Sequence, residues 1–430
     1  MMHTKRLLAA AITTVCASLP LTAFATNGDE LIGLGAQSRA LGGTGTAAYF
    51  GSENALINPA LLGKSQGTEF AFGGTLFMPN VKASSDITGM PSNKKSDNDL
   101  NVIPEVSMFH RINDNWTFGI GMYGTAGMGV DYRDHDNIGT GSDADGLMHG
   151  YTSLQLMKFA PTLAYNQDNF GIGFAPVIQY GALDINYIGP EGPVGNGTST
   201  DLGFGVNIGG YFDVNDQLTL ALAYQSAIDM EYKGQLTTAA DGFGIGPNGM
   251  QTITSNKLEQ PAQIKLGVAY TVNNWLLTAD YKQIKWGSAN GYKTFNWDDQ
   301  DVFGIGARYN GDNYWVGFGY NYGKDPIKVL GGSENPMLAY SNQAVDMFNN
   351  HLFPAVVESH YTVGGGYAIG KNMMLEGALV YAAKRNKTVD TTAVSSMMAM
   401  NMGAPQGIYP SSHTTKHSQL GITVSLRTNF

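Results

Sequence analysis

Cysteine is nearly absent from this 430-residue chain. The one present, Cys16, falls among the first twenty-five residues. Those residues read as a secretory signal peptide. Lys5 and Arg6 give a positive start, Leu7 to Leu21 is mostly apolar, and Ala23-Phe24-Ala25 is a small-x-small cleavage site, which leaves Thr26 as the first mature residue. A transmembrane anchor is the competing reading, but the apolar core is short and a cleavage site follows it. Thr13 and Thr14 ahead of Cys16 fit a lipid-attachment site poorly. A mature chain without cysteine has no disulfide, no thiolate metal site and no cysteine nucleophile. In an oxidising envelope its stability needs another source, and a closed barrel is one.

Basic charge is scarce too. Removing Lys5 and Arg6 leaves 23 Lys and Arg against 35 Asp and Glu, a formal charge of −12 where the full chain has −10. Such a chain matches nucleic-acid phosphates poorly, and no basic patch of that type occurs. After the signal there is no apolar run of about 18 residues, which excludes helical membrane spans. If the chain crosses a membrane, it does so with strands. Fifty-six glycines and twenty-two tyrosines, with only 14% charged residues, suit such a barrel better than an ordinary enzyme.

From residue 66 onward, alternating segments are joined by tight and long connections in turn. The tight ones are Asn113-Asp114-Asn115, Asn166-Gln167-Asp168-Asn169, Asn215-Asp216, Asn273-Asn274, Asn310-Gly311-Asp312-Asn313 and Gly370-Lys371-Asn372. Asn, Asp and Gly accept the left-handed backbone that hairpin turns require. Long polar, Gly-rich stretches lie between, at 83–100, 131–150, 188–200, 234–258, 288–299, 324–357 and 388–414. Seven long loops and six short turns join fourteen strands, so the expected fold is an all-β, 14-stranded antiparallel transmembrane barrel over 64–430. The strands are expected near 66–82, 101–113, 115–130, 151–166, 169–187, 201–215, 217–233, 259–272, 274–287, 300–310, 313–323, 358–370, 372–387 and 415–430. An even count puts both ends on one side, with short turns in the periplasm and long loops outside. A soluble β-sandwich has no reason to segregate its loop lengths in this way.

The lipid face is legible in the last strand. Leu420, Ile422, Val424, Leu426, Thr428 and Phe430 share one side, while Thr423, Ser425, Arg427 and Asn429 share the other. The ninth strand alternates alike, with Trp275, Leu277, Ala279 and Tyr281 outward and Thr278, Asp280 and Lys282 inward. The terminal aromatic, Phe430, resembles the ending that outer-membrane insertion machinery reads. Trp116, Tyr224, Trp275, Trp286, Tyr314 and Trp315, near strand ends, suit an interfacial girdle.

Residues 26–63 do not alternate. They open Thr26-Asn27-Gly28, continue through Ser38-Arg39-Ala40 and Gly42-Gly43-Thr44-Gly45, and close on Asn58-Pro59-Ala60. So many small residues before the first strand suit a compact element folded into the lumen.

On these motifs, and on Phe353-Pro354-Ala355-Val356-Val357-Glu358-Ser359-His360-Tyr361-Thr362-Val363-Gly364, the mature chain resembles the FadL-type outer-membrane transporters of long-chain fatty acids and aromatic hydrocarbons over essentially its whole length. The resemblance implies a barrel closed by an N-terminal hatch, with Thr26, Asn27, Gly28, Asn58, Pro59 and Ala60 as gating positions. It implies passive uptake of long-chain fatty acids or other hydrophobic small molecules, with sideways release through a kink in the third strand. The matching stretch holds Gly124, Thr125, Ala126, Gly127, Met128 and Gly129, and glycine within a strand marks bulges. Glycine is nevertheless common throughout this chain. The surroundings implied are outer-membrane lipids and lipopolysaccharide, the state is a monomer, and no cofactor, metal or catalytic residue is called for.

Two apolar groups stand in the long loops. Met337, Leu338, Met347, Phe348, Leu352 and Phe353 follow a roughly helical spacing, and Met397, Met398, Met400 and Met402 cluster in the last loop. Methionine adapts to varied apolar shapes, so these are candidates for a capture surface; loops packed together as a roof are the equal alternative. Asp131, Asp134, Asp136, Asp143 and Asp145 surround His135 and His149 without the spacing of a calcium loop. Arg308, Lys265 and Lys282 are candidates to hold a substrate carboxylate. Two other functions remain open at this point: a diffusion porin for polar solutes, and an adhesin or receptor acting through its external loops.

Overall fold

The computed structural model describes residues 26–89, 91–133, 146–189, 192–245 and 253–430. The signal peptide reading (1–25) and the loop residues Asp134, His135, Asp136, Asp143 and Asp145 lie outside the described residues.

Fourteen long strands form the wall. They are β1 (Thr68–Ser85), β2 (Asn101–Arg111), β3 (Trp116–Asp131), β4 (Tyr151–Gln167), β5 (Phe170–Gly189), β6 (Ser199–Asp213) and β7 (Leu218–Gln225). The second half is β8 (Gln263–Val272), β9 (Trp275–Ile284), β10 (Gln300–Asn310), β11 (Tyr314–Gly323), β12 (Ser359–Ala368), β13 (Met373–Asp390) and β14 (Ser412–Asn429). Each pairs antiparallel with its neighbours, and β14 closes on β1 from His413↔Ser85 to Asn429↔Glu69. Closure removes the sheet edge, the condition for spanning hydrocarbon with strands. The expected fourteen-stranded barrel is therefore the fold observed. Asp168 and Asn273, at two of the expected short turns, adopt φ of 45° and 52°.

The alternation sets the two faces. Leu277, Val424 and Phe318 are 42%, 53% and 58% exposed on the outside, while their neighbours Thr278 and Thr423 are buried against the lumen contents. Two aromatics depart from the expected girdle. Trp116, Tyr224, Trp275 and Tyr314 lie on the outer surface, but Trp286 and Trp315 are buried inside. Trp286 packs at a tilt against Tyr292 and edge-on to Trp297, and the Trp315 indole donates to Glu376 at 3.1 Å, so each ring has a polar or aromatic partner that lipid does not offer. Strand β7 also stops at Gln225, short of the expected 233. Beyond it the ladder gives way to isolated bridges, Ile228↔Gln260 and Glu231↔Lys257, and single backbone bonds such as Ser226 N–H to the Val206 carbonyl, while Ile228, Met230 and Tyr232 turn inward into the apolar core.

Ahead of the wall, a two-strand hairpin (Thr26–Asn27 with Glu30–Leu31) leads into helices α1 (Gly35–Ala40) and α2 (Asn54–Ile57) and a 3-10 turn, Pro59–Lys64. Nearly all of it is buried within the barrel. The long loops contribute helices α3 (Leu236–Gly242), α4 (Pro336–Leu352) and α5 (Thr392–Asn401) and a 3-10 turn, Tyr292–Phe295. Asn335 caps α4, accepting from the amide of Met337 at 3.0 Å, and Pro336 fills its first position.

A charge placed on the outer face of mid-strand must be desolvated by hydrocarbon. Val424→Arg is expected to lower stability by about 2–4 kcal/mol, and Thr428→Arg, near the interface, by only about 0–1 kcal/mol, in urea titrations of the protein folded into liposomes. Equal effects at the two positions would contradict the assigned membrane depth.

Candidate functional site

The hatch is held by ion pairs whose members lie far apart in sequence. Arg427 of β14 reaches Glu53 at 2.8 Å and Glu376 at 3.2 Å, and it also pairs with Glu69. Arg39 of α1 pairs with Glu105 and donates to Thr75 at 2.8 Å. The amides of Gly45 and Thr46 donate to Asp280 at 3.0 and 2.9 Å. All these carboxylates but one, Asp280, are buried, and buried charge is tolerated only when paired and hydrogen-bonded. The hatch is thus anchored to β1, β2, β9, β13 and β14 together.

Asn58, Pro59 and Ala60 form its last anchor. The Asn58 side chain accepts from the Ala60 amide at 3.1 Å and donates to the Thr46 carbonyl at 2.7 Å, while Pro59 starts the 3-10 turn. A Cβ on Gly209 would sit 1.8 Å from Asn58 Oδ1, so β6 offers a glycine where the hatch touches the wall. Thr26 bonds Gln419 at 3.1 Å, and Gly28 adopts φ +67 with its Cα against the Trp286 ring. Asn27 has no hydrogen-bond partner for either side-chain polar atom. Asp29 was not singled out in the sequence. It accepts from Tyr292 and Gln260, and burial raises this hatch carboxyl to about 7.

The hairpin stands in a window of the wall. Pairing of β2 with β3 ends at Glu105↔Tyr123, although β2 continues to Asn101 along β1. Above that point β3 pairs only with β4, and there the register slips between Gly124 and Ala126, leaving Thr125 as the extra residue. The Thr125 hydroxyl is buried without a partner. The gap closes again where the Asp97 amide donates to the Asp131 carbonyl at 2.8 Å. Within it the hatch supplies two contacts, the Glu30↔Ala126 bridge and Gly127 N–H donating to Asp29 O at 3.0 Å. Unpaired strand edges are costly in hydrocarbon, which makes this interruption a feature that needs a reason.

A cavity of about 360 Å³ occupies the window. Its inner end meets Thr26, Leu31, Ala355 and His417, and its outer end meets Leu100, Val102, Met157 and Tyr180. Val102 and Tyr180 are 70% and 47% exposed on the outer surface. The cavity therefore has linings on both faces of one wall. Gly124, Ala126, Gly127, Met128 and Gly129 all border it, and the buried Phe353–Glu358 segment ahead of β12 supplies Pro354 and Ala355.

A smaller cavity, about 70 Å³, lies behind the hatch hairpin. Lys265 and Lys282 line it with Lys158, whose ammonium is 3.8 Å from Glu30. Arg308 lies elsewhere, donating to Gln37 and bordering a periplasm-side hollow with Lys64 and Asp213.

The two loop groups divide. Met347, Phe348, Leu352 and Phe353 are buried beneath α4, where Phe348 stacks on Phe295 at 4.8 Å, so they form the underside of a roof. Leu338 is partly buried. Met337 and Met402 are 49% and 68% exposed, and Met397, Met398 and Met400 are half-buried along α5.

The family model for outer membrane protein transport proteins (OMPP1/FadL/TodX) matches residues 12–430. A 47 kDa outer membrane protein of Pasteurella multocida is 23% identical over 423 residues, 90% of this chain and 92% of that one. A long-chain fatty acid transport protein of Escherichia coli K12 is 23% identical over 379 residues, 73% of this chain and 81% of the other. The crystal structure of the Pseudomonas putida toluene transporter TodX superposes with a TM-score of 0.66 at 18% identity, covering 94% of this chain and all of that one.

Replacing Arg427 by Leu leaves Glu53, Glu69 and Glu376 without their common cation. Arg427→Leu is expected to cost about 3–5 kcal/mol in urea unfolding and to give ion-conducting steps in planar bilayers where the parent gives none. A variant as stable and as closed as the parent would show that these pairs do not retain the hatch.

Proposed function

The chain belongs to the OMPP1/FadL/TodX family of outer-membrane transporters of hydrophobic compounds, and on that premise we propose that it takes up long-chain fatty acids or similar amphiphiles passively and releases them sideways through the window in β3. The observation that carries this reading is the cavity with linings on both faces of the wall. An apolar chain gains about 0.8 kcal/mol per methylene on leaving water, so a route discharging into the membrane needs no further energy source. A water-filled pore would offer such a cargo nothing.

Capture begins at the exposed methionines Met337 and Met402, with Met397, Met398 and Met400 behind them. Their flexible thioethers accept varied apolar shapes. The aromatic roof of Phe295, Phe348, Trp286 and Trp297 must part to admit cargo, because its side chains are fully packed. Lys158, Lys265 and Lys282 favour a cargo with a carboxylate over a neutral hydrocarbon. Lys265 and Lys282 have no ion-pair partner among the described residues, and they border the 70 Å³ cavity next to the hatch hairpin. The charge-assisted bonds of a carboxylate would satisfy them. The gating residues Thr26, Asn27 and Gly28 sit where the hairpin can be displaced, since only two backbone contacts tie it to β3.

The test is a staple across the window. An ideal Cβ on Gly124 lies 3.6 Å from the Ile103 Cβ, within disulfide range. In the cysteine-free mature background, oxidised Ile103→Cys/Gly124→Cys is expected to slow oleate uptake into cells by at least about tenfold, with full recovery on reduction. Undiminished uptake by the oxidised form would contradict lateral release, and the same loss after reduction would assign the effect to the substitutions.

A further inference from the structure

On the outer wall, lysines stand in a row across the closure of the barrel. Lys82 of β1 lies directly opposite Lys416 of β14 on one side and Lys95 of the short strand Ser92–Lys95 on the other. Directly opposed residues on antiparallel strands share a face with their Cβ atoms about 5 Å apart, and like charges so placed repel. The row carries one acid, Asp99, paired with Lys95. Lys82 and Lys416 have no ion-pair partner among the described residues. Three other lysines on the loop side each face their own acid: Lys257 with Asp229, Lys285 with Asp299 and Lys328 with Asp298. A chain of net charge −10 does not produce such a row by composition.

The depth of the row identifies its surroundings. Phe70 and Lys82 both point outward on β1, twelve residues apart. At about 3.3 Å per residue and a tilt of about 40°, that is about 30 Å along the membrane normal, just beyond an apolar band about 25 Å tall. Below the row the same face carries Leu76, which is 44% exposed, then Phe72 and Phe70. The fitting ligand has anionic phosphate at the level of the lysines and acyl chains running down the wall beneath.

We propose that Lys82, Lys95 and Lys416 form a binding site for the phosphorylated sugar headgroup of outer-leaflet lipopolysaccharide. The ammonium groups donate to its phosphate oxygens, and the outward side chains of β1 receive its acyl chains. Phosphate relieves the mutual repulsion of the row, which the protein's own acids leave largely uncompensated. The inference rests on the outer-membrane location of the barrel and is independent of the cargo it carries.

Native mass spectrometry of the full mature protein, released from phosphatidylethanolamine nanodiscs doped with bis-phosphorylated lipid A, reads the site. The parent is expected to retain lipid A through delipidation, and Lys82→Gln/Lys95→Gln/Lys416→Gln to retain at least about tenfold less. Lys257→Gln/Lys328→Gln, which removes the same kind of charge from paired positions, is expected to match the parent. If the triple variant does not refold, Lys82→Gln alone removes the central charge and is expected to lower retention by about threefold. Retention unchanged in the triple variant or in Lys82→Gln, or lost equally in the paired-position control, would overturn the proposal. So would displacement of lipid A by millimolar inorganic phosphate, which would reduce the row to a simple anion site.

Discussion

Every backbone amide and carbonyl exposed to hydrocarbon must find a partner within the protein, and this one requirement organises the molecule. It dictates a closed ladder, and closure from β14 to β1 supplies it. Against that background the stretch of β3 beyond Tyr123 stands out, because its β2 side is bare until Asp131. An extra residue at Thr125 bends the strand there, and the hatch hairpin fills part of the gap through Glu30 and Asp29. The wall is complete only with the hairpin in place. Plug and opening therefore meet in the hairpin, whose residues supply part of the missing β3 edge.

The lumen shows how so polar a plug stays put. Its carboxylates and guanidinium groups would each be costly alone in a water-poor interior. Arg427 meets three carboxylates from the hatch and two strands, and Arg39 meets Glu105 in return. Removing one member of such a network would leave the others buried without their partner, at a cost of about 3–5 kcal/mol, which suits a hatch body that stays seated. The hairpin is bound by Thr26 to Gln419, by Asp29 to Tyr292 and Gln260, and by Glu30 to Lys158 and Gln263. Through Tyr292 it touches the aromatic roof, where Trp297 donates to Asn349 of α4. The underside of α4 and the hairpin in the window are thus joined by a short chain of packed rings.

Much of this was legible in the sequence because a barrel strand repeats every two residues and a barrel turn has a narrow chemistry. The alternation of Leu420, Ile422 and Val424 against Thr423 and Ser425 sufficed to orient β14, and segregated loop lengths sufficed for the strand count. The glycines around Gly124 coincide with the bulge, although Gly364, Gly365 and Gly366 sit in regular pairing, so glycine by itself did not locate it. What escaped has a common cause. Trp286 and Trp315 look like girdle residues until their partners, Tyr292 and Glu376, are brought up by folding. The pairing of Arg427 with Glu53 spans 374 positions, and local pattern carries no trace of it. Met347, Phe348, Leu352 and Phe353 have a roughly helical spacing, yet spacing alone cannot say whether an apolar stripe faces solvent or a roofed interior.

The direction in which cargo leaves is the claim to test first. A long-chain fatty acid carrying a terminal diazirine, photolysed during uptake and located by peptide mapping, marks the residues along its path. The account predicts labels on Val102, Met128, Leu154, Met157 and Tyr180, which border the cavity through the wall. Labels concentrated instead on Tyr49, Leu276 and Arg308, around the 510 Å³ hollow beneath the hatch, would mean that cargo continues straight into the periplasm and would contradict it.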